Sequence, residues 1–407
     1  MKSEIVVQKY GGSSMAGPER VRGVAARVAA RLASEQGAKL VVVVSAMGKT
    51  TDGLLALASE VSPTPAPRET DMLLATGEQV SAALLTMALL DLGIPAVSRN
   101  AFQLGVVTSA NYSNARIMDI DVSRLLGDLE DYDVVVVTGF QGVTERGDLT
   151  TLGRGGSDTS AVAIAAKLSR VSGVLCEIYS DVPGIFACDP NKVRGARKLD
   201  YIRYDEMLEL ASLGAKVLHM RAVELARKYG VVLYCASTFS NERGTYVVRE
   251  LPEWLESPVV TGVTVARSQT RFVVRRISGS DALTGIFDAL ADAGANVDMI
   301  STVSAGDETF MAFTIASSEA VRAKRALAAL DCEAEAGTPV AKVSVVGDGM
   351  NAATGVAGRV FGTLRHMGAD IMGISTSDIN ISVLVAEDEA DEAVEALANE
   401  FGLTSDS

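Results

Sequence analysis

A glycine-rich run in the middle of the chain is suited to holding an anion. Residues 150–160 read TTLGRGGSDTS and precede the small, helix-forming residues 161–166. A glycine-rich loop that opens a helix offers free backbone N–H donors and the positive end of a helix dipole, and Arg154 can bind an anion through two parallel hydrogen bonds. Because an ordinary turn does not need an arginine between glycines, we interpret this run as an anion site.

A second glycine-containing run lies near the amino terminus. Residues 9–14 read KYGGSS and stand where the first apolar strand ends, before a helix predicted to begin near Pro18. Glycines let the backbone approach a phosphate closely, amide N–H groups then point at its oxygens, and Lys9 adds a positive charge. By itself the run fits an ordinary strand-to-helix turn equally well. Its interpretation as a phosphate site therefore depends on the other run.

Polar side chains also follow other predicted strands. In an open parallel sheet, the carboxyl ends of the strands form the ligand crevice. Among cations, Glu78 could receive the ammonium group of an amino acid, and it could equally complement a helix dipole. The polar groups are Ser45 with Thr50 and Thr51, residues 76–78 (TGE), and Ser180 with Asp181.

Several chemistries have no residues to perform them. The chain contains only two histidines, His219 and His366, and shows neither a nucleophilic triad nor metal-ligand spacing. The GKT at 48–50 lacks the first glycine of a P-loop because Val43 stands there, and GDGMNA at 347–352 has too little chain after it for a dinucleotide domain. Phosphoryl transfer needs mainly positioning and charge stabilisation, which lysine, arginine and loop amides supply.

The composition limits which binding partners and which cellular location we expect for the protein. Lys+Arg 37 against Asp+Glu 51 gives a net charge of -14, which disfavours nucleic acid and anionic membrane surfaces. The 4 cysteines are scattered without a CxxC pair, which fits a reducing cytoplasm. Uninterrupted apolar runs such as 40–44 fall far short of a membrane span. We expect a cytoplasmic protein that binds neither nucleic acid nor membrane.

The first part of the chain alternates short β-branched runs with amphipathic stretches. This order predicts an α/β domain with a mostly parallel sheet and helices on both faces. The segment SPTPAP at 62–67 is predicted as a surface loop, and a domain boundary is predicted near 251–254. The predicted strands are 5–8, 40–44, 134–137 and 175–179, and the predicted helices are 21–32 and 78–92.

Beyond that boundary the sequence repeats itself at one constant offset. Phe287 recurs as Phe361, Gly294 as Gly368 and Ile300 as Ile374. A duplicated unit is the simplest explanation. Each copy has the element order of a ferredoxin-like sandwich.

Taken together, the motifs resemble those of aspartate kinases of the amino-acid kinase superfamily, in the form with two C-terminal ACT domains. The resemblance covers nearly the whole length. It implies a three-layer sandwich at 1–250, followed by ferredoxin-like ACT domains at 262–338 and 339–407. The segments that carry it are 9–14 (KYGGSS), 44–48 (VSAMG), 76–79 (TGEQ), 139–142 (GFQG), 151–158 (TLGRGGSD), 204–207 (YDEM) and 214–219 (GAKVLH).

This resemblance implies transfer of the γ-phosphoryl of ATP to the β-carboxylate of L-aspartate, with Mg²⁺ held mainly through the nucleotide phosphates and no metal ligand from the chain. Lys9 would neutralise developing charge, Arg154 would bind the α-carboxylate and Asp158 would organise the lysines. The catalytic residues would be Lys9, Arg154 and Asp158. The substrate residues would be Ser45, Thr51, Glu78, Arg154 and Ser157. The nucleotide residues would be Lys9, Gly11, Gly12, Ser13, Ser180, Asp181, Lys216 and Val217.

Departures from the family pattern concentrate in the first ACT copy. Residues 278–283 (SGSDAL) replace the usual Asp-Arg-Pro-Gly turn, and residues 300–304 (ISTVS) lack the usual Gln. We therefore expect weakened feedback by lysine or threonine, with the ACT pair kept mainly for assembly of a homodimer or larger oligomer. Departures on the nucleotide and substrate side are Asn191, Met220, 101–103 (AFQ), Ser109 and 235–238 (CAST).

Two alternatives remain open at this stage. Phe102, Ser109 and Tyr112, near the expected substrate side, suggest a paralogue that phosphorylates another amino-acid carboxylate. A regulatory subunit with a degenerate kinase fold is the second alternative, although the central residues are intact.

Overall fold

Valine-rich runs of the first half form one large, mostly parallel sheet. The computed structural model describes residues 5–35, 37–170, 173–215, 217–254, 258–277, 279–305, 308–350 and 353–405. The strands of this half are β1 (Ile5–Tyr10), β2 (Lys39–Val44), β3 (Ala96–Arg99), β4 (Val106–Thr108), β5 (Ile117–Ile120), β6 (Val134–Thr138), β7 (Gln141–Val143), β8 (Leu149–Thr151), β9 (Val174–Ser180), β10 (Tyr201–Arg203), β11 (Leu233–Ser237) and β12 (Thr245–Val248). The large sheet has the order β10-β12-β11-β9-β1-β2-β6-β3, and β5-β4-β7-β8 form a smaller one.

Helices cover both faces of the large sheet. Helix α1 packs against α4 on one face, over Val6, Leu40 and Val134. Helix α6 packs on β1, β2 and β9 from the other face, and α8 packs against α6. The helices are α1 (Pro18–Ser34), α2 (Thr50–Val61), α3 (Pro67–Leu74), α4 (Thr76–Asp91), α5 (Ser123–Asp131), α6 (Gly156–Leu168), α7 (Tyr204–Ser212) and α8 (Met220–Tyr229). This three-layer arrangement confirms the predicted fold class.

Proline positions explain two helix starts. Pro18 is the first residue of α1, as predicted, because its missing N–H is one of those left free at a helix start. The same rule corrects the predicted loop at 62–67, since Pro67 is the first residue of α3 and the loop ends at Ala66.

Within the described residues, Pro67–Asp91 is long and apolar enough, by composition, to cross a membrane. Half of this stretch is buried in the fold, as in a core helix.

The repeated second half forms a single six-stranded sheet in the order β14-β15-β13-β16-β18-β17. Short 3₁₀ turns lie at Ser317–Glu319 and Asp348–Met350. The strands are β13 (Gly262–Ile277), β14 (Asp298–Ala305), β15 (Glu308–Ala316), β16 (Glu333–Val346), β17 (Gly373–Thr376) and β18 (Asn380–Ala386). The helices are α9 (Gly279–Asp292), α10 (Ala320–Leu327), α11 (Val356–His366) and α12 (Ala390–Glu400).

Strand β13 is shared between the two repeats. Its first half pairs with the end of β16, from Gly262 opposite Val346 to Ala266 opposite Lys342. That end of β16 also pairs with β18 of the second repeat. The second half of β13 pairs with β15 of the first repeat on one side and with the start of β16, from Gln269 opposite Val340 to Arg275 opposite Glu333, on the other. The second repeat is therefore completed by a strand that precedes the first repeat in the chain.

The chain divides into two compact units. The first takes in most of residues 5–254, and the second takes in residues 258–405 with two earlier segments, Phe186–Arg197 and Ser212–Ala215. Phe186–Arg197 is tied to the carboxyl-terminal residues, since the N–H of Arg197 donates to the carbonyl of Leu403 at 2.8 Å. The limits 1–250, 262–338 and 339–407 remain a prediction.

Candidate active site

Lys9 is held by a carboxylate at the carboxyl end of the central strand. Its Nζ lies 2.6 Å from Oδ1 of Asp158, and both side chains are largely buried. Strand β1 places Lys9 between β2 and β9, and α6, whose first turn contains Asp158, packs on β1. A carboxylate in the first turn of a helix complements the helix dipole. The Lys9 ammonium group is therefore held in one direction at the carboxyl end of β1.

The turn after β1 comes close to neighbouring backbone at Gly12, and Gly11 lies beside the Lys9 side chain. The N–H of Gly11 donates to the carbonyl of Tyr179 at 3.3 Å, and the N–H of Gly48 donates to the carbonyl of Gly12 at 2.9 Å. A Cβ at Gly11 would lie 3.4 Å from Nζ of Lys9, and one at Gly12 would lie 3.0 Å from the carbonyl oxygen of Ala46. The turn thus packs beside the Lys9 ammonium with backbone alone.

The glycine-rich loop before α6 adopts left-handed backbone. Gly153 has φ +77° and Gly155 has φ +65°. A Cβ at Gly155 would lie 2.1 Å from Cγ of His219, whose ring packs on the loop. Between these glycines, Arg154 is exposed, and the described residues give it no hydrogen bond or ion pair. Its guanidinium is free to bind a ligand.

Glu78 is a buried acid with half of its carboxylate unused. It lies in the first turn of α4 and is 3 % exposed. The N–H of Ala46 donates to its Oε1 at 3.0 Å, whereas its buried Oε2 has no hydrogen-bond partner among the described residues. Burial raises the pKa of Glu78 to about 7, and backbone N–H donors oppose that rise. A cationic ligand would supply the missing partner.

These groups line one cleft of about 460 Å³. Its other walls include Ser113, Phe140 and Thr151. The predicted residues that the cleft brings together are Lys9, Gly12, Ser45, Thr51, Glu78, Arg154, Ser157 and Asp158. A fixed ammonium, a free guanidinium and a buried acid together suit an amino acid whose side-chain carboxylate meets a phosphoryl group.

Comparison with known proteins assigns the chain to a family. The amino acid kinase family profile matches residues 4–237, and an ACT domain profile matches 280–329 and 343–401. Aspartokinase of Geobacillus stearothermophilus is 47% identical over 407 residues, covering 99% of this chain and 98% of that protein. Aspartokinase 2 of Bacillus subtilis is 45% identical, covering 98% of each. The chain belongs to the aspartokinase family.

A solved aspartokinase structure agrees over the whole length. E. coli aspartokinase III in complex with aspartate and ADP has a TM-score of 0.79 and 25% identity, covering 98% of this chain and 99% of that one. The same enzyme with lysine and aspartate has a TM-score of 0.76 and 26% identity, covering 98% and 100%. The resemblance stated from the motifs is thereby confirmed.

Fewer of the predicted nucleotide residues than of the predicted substrate residues line the cleft. Ser180 ends β9 directly beside the Gly11 turn, and the exposed Asp181 follows it. Ser13 uses its carbonyl to accept a hydrogen bond from Arg20 at 2.9 Å, and Val217 is half-buried before α8. Ser13, Ser180, Asp181 and Val217 do not line the cleft, nor does Gly11. Lys216 lies outside the described residues.

Three residues that shape the cleft were not among the predicted site residues. Phe140 has φ +70°, and a Cβ at Gly156 would lie 2.7 Å from its ring. Arg221 donates to the carbonyl oxygens of Leu152 at 2.5 Å and Ala115 at 2.9 Å. Asp71, buried in α3, accepts hydrogen bonds from Thr151. The GFQG motif pointed at Phe140, but nothing in the local sequence distinguished Asp71 or Arg221.

The residues that suggested a different substrate lie elsewhere. Phe102 lines a separate surface pocket with Arg68 and Asp148. Tyr112 donates its hydroxyl to Asp148 at 3.1 Å, and Ser109 accepts a hydrogen bond from the N–H of Arg116 at 3.0 Å. None of the three lines the cleft. Neither this observation nor the relatives favour the paralogue or the non-catalytic subunit.

Proposed function

We propose that the chain phosphorylates the β-carboxylate of L-aspartate with ATP, giving 4-phospho-L-aspartate and ADP, the first step of the aspartate-family amino acid pathway. The observation that carries this proposal is the convergence of Lys9, Asp158, Arg154 and Glu78 on one cleft. The aspartate and ADP bound by E. coli aspartokinase III support it.

In the proposed reaction, a β-carboxylate oxygen of aspartate attacks the γ-phosphorus, and the bond from that phosphorus to the bridging oxygen of ADP breaks. The Lys9 ammonium lies where it can stabilise charge on the transferred group, and Asp158 holds it there. Arg154 has a free guanidinium for the α-carboxylate. The unpartnered Oε2 of Glu78 would accept a hydrogen bond from the substrate ammonium.

The remaining predicted residues divide between substrate and nucleotide. Ser45, Thr51 and Ser157 line the cleft and would place the aspartate. The proposed ATP side takes in the Gly11, Gly12 and Ser13 turn with Ser180, Asp181, Lys216 and Val217. Within the described part of the chain, no group of three or more His, Cys, Asp and Glu side chains is arranged to hold a metal. We therefore propose that Mg²⁺ is held through the nucleotide phosphates, where it would neutralise phosphate charge.

Regulation by lysine or threonine is proposed to be weak. In the first ACT repeat, Asp298 is ion-paired with Lys342, whose side chain is 7% exposed. The Asp298 carboxylate is therefore already neutralised within the chain. Part of the altered turn at 278–283 lies outside the described residues, since Ser278 is not among them. The E. coli enzyme bound to lysine shows only that a relative takes this ligand.

The proposal also includes the oligomeric state and the cellular compartment of the protein. We propose a homodimer or larger oligomer formed through the ACT repeats, because β14 and β17 end their shared sheet with edges that can pair further. A reducing cytoplasm is proposed because Cys176, Cys188, Cys235 and Cys332 are all free thiols.

The direct test is a hydroxylamine-trapping assay with ATP, Mg²⁺ and L-aspartate, run beside ADP release. We expect equal rates of acyl hydroxamate and ADP formation. L-Glutamate and D-aspartate serve as controls for the length of the side chain and for the positions of the Arg154 and Glu78 partners. A clear preference for either control, or ADP release without hydroxamate, would contradict the proposal.

A further inference from the structure

Asp71 is a buried carboxylate whose hydrogen-bond partners are hydroxyls and backbone N–H groups. It lies in α3 with 0% exposure. Its Oδ2 accepts hydrogen bonds from the N–H groups of Ser113 and Thr151, both at 2.8 Å. Its Oδ1 accepts from the hydroxyls of Thr151 at 2.8 Å and Ser113 at 3.3 Å. In the described part of the chain no lysine or arginine contacts it, so these donors alone compensate its burial.

One of the two partners has strained backbone that Asp71 holds in place. Ser113 has φ +65°, a conformation that residues with a Cβ rarely adopt. Such residues persist when their surroundings over-determine them, often at functional sites. Both the N–H and the hydroxyl of Ser113 are committed to Asp71. Its carbonyl oxygen lies 3.0 Å from where a Cβ of Gly153 would be, so this turn packs against the glycine-rich loop.

The second partner lies on the other side of the same contact. Thr151 ends β8, two residues before Gly153, and its carbonyl accepts the N–H of Ala115 at 2.9 Å. Arg221 ties the same two segments together through the carbonyls of Leu152 and Ala115. Asp71 therefore joins residues 113–115 to residues 151–153 immediately before Arg154. Ser113, Thr151 and Arg154 all line the cleft.

We propose that Asp71 is a positioning residue for the amino-acid side of the cleft. It sets the Ser113 turn against the glycine-rich loop and thereby sets the direction from which Arg154 reaches the substrate. This inference depends on the proposed function. It assigns Asp71 no contact with substrate, and it places no part of the nucleotide site under its control.

The arrangement of donors allows a sharp test of positioning against charge. In Asp71→Asn, the amide oxygen can accept both backbone N–H groups, and the amide NH₂ can donate to the two hydroxyls after they rotate. All four contacts survive and only the charge is lost. In Asp71→Ala, two buried N–H donors lose their acceptor, and nothing holds Ser113 in its left-handed conformation.

The experiment measures KM for L-aspartate, KM for ATP and kcat in four proteins: wild type, Asp71→Ala, Asp71→Asn and Asp128→Ala. Asp128 is the matched control, a buried aspartate of the same unit that accepts 2.8 and 2.7 Å hydrogen bonds from Arg99 outside the cleft. We expect Asp71→Ala to raise KM for aspartate about tenfold, since a lost buried partner costs on that scale, and to leave KM for ATP within about twofold. Asp71→Asn should restore KM for aspartate to within about threefold of wild type.

Several outcomes would overturn the inference. Equal rises in both KM values, or a lowered Tm with unchanged KM for aspartate, would show a merely structural role. Asp71→Asn as impaired as Asp71→Ala would show that the charge itself is used. If Asp71→Ala does not fold, Thr151→Val removes a single donor and must still raise KM for aspartate selectively, by about threefold. Wild type without aspartate-dependent turnover would instead refute the proposed function.

Discussion

The active-site cleft and the ACT repeats treat their charged groups differently. In the cleft, Arg154 has no partner among the described residues and Glu78 leaves Oε2 unpaired. In the first ACT repeat, by contrast, Asp298 is paired with the buried Lys342. A buried polar atom without a partner, such as Oε2 of Glu78, costs stability, and a bound ligand that supplies the partner removes this cost. The difference indicates a cleft that depends on a charged ligand, whereas Asp298 of the first ACT repeat already has its partner within the chain.

The largest expected effect comes from removing the cation at the centre of the cleft. Lys9→Ala should lower kcat by about 10²- to 10³-fold, the usual cost of losing one donor that stabilises transition-state charge. KM for aspartate should change little, because Arg154 and Glu78 remain. Steady-state kinetics check this. The matched control is Lys39→Ala, which breaks the Lys39–Asp133 pair (3.0 Å) at the opposite end of β2 and should leave kcat intact. Near-normal turnover in Lys9→Ala would refute the assigned role.

A smaller effect is expected on the substrate side. Arg154→Ala should raise KM for aspartate about 30-fold, since a charge-assisted bidentate contact contributes about 2 kcal/mol. ATP binding, measured by calorimetry without aspartate, should stay unchanged. Arg154→Lys should recover part of the loss because it keeps the charge but not the fork geometry. Arg124→Ala, an exposed arginine of α5, is the control. Weakened ATP binding in Arg154→Ala would place Arg154 on the nucleotide side.

The buried Glu78 should make KM for aspartate depend on pH. Because burial raises the pKa of Glu78 to about 7, its carboxyl is mostly neutral at pH 6 and mostly ionised at pH 8. Only the ionised form attracts the substrate ammonium, so KM for aspartate should fall about tenfold from pH 6 to pH 8. In Glu78→Gln the profile should be flat, and KM should stay near its pH 6 value. A wild-type profile as flat as that of the variant would show that Glu78 does not bind the ammonium.

The smallest effect is expected in the ACT repeats. Lysine, threonine or both, at millimolar concentration, should lower the initial rate by less than about threefold. The Asp298 carboxylate is already paired with Lys342 and so adds little to effector affinity. An effector shifts a conformational equilibrium only by its difference in affinity between the two states. Calorimetry on the same protein should show weak binding. Lys342→Met, which frees the Asp298 carboxylate, should strengthen lysine binding if the internal pair is what weakens it. Tight binding with strong inhibition in wild type would contradict this prediction.

The sequence predicted the sheet and the cleft glycines because those signals are local. Valine runs identify buried parallel strands, and Gly12, Gly153 and Gly155 mark backbone that a Cβ would obstruct or strain. Asp71 could not be recognised in this way. Its partners Ser113 and Thr151 lie 42 and 80 positions away, so its role exists only after folding. The repeat likewise predicted two ACT copies but not that β13 pairs across both, because pairing register is a property of the assembled sheet.

Because β13 pairs with strands of both repeats, a gene that encodes only one of the two ACT repeats would split a strand pair. A chain that stopped after the first repeat would leave Gly262–Ala266 without Lys342–Val346 opposite it. That segment would become an uncovered strand edge, the kind that recruits other chains into aggregates. A chimaera should therefore take β13 and both repeats from the same parent, because a crossover between the repeats separates strands that pair with each other.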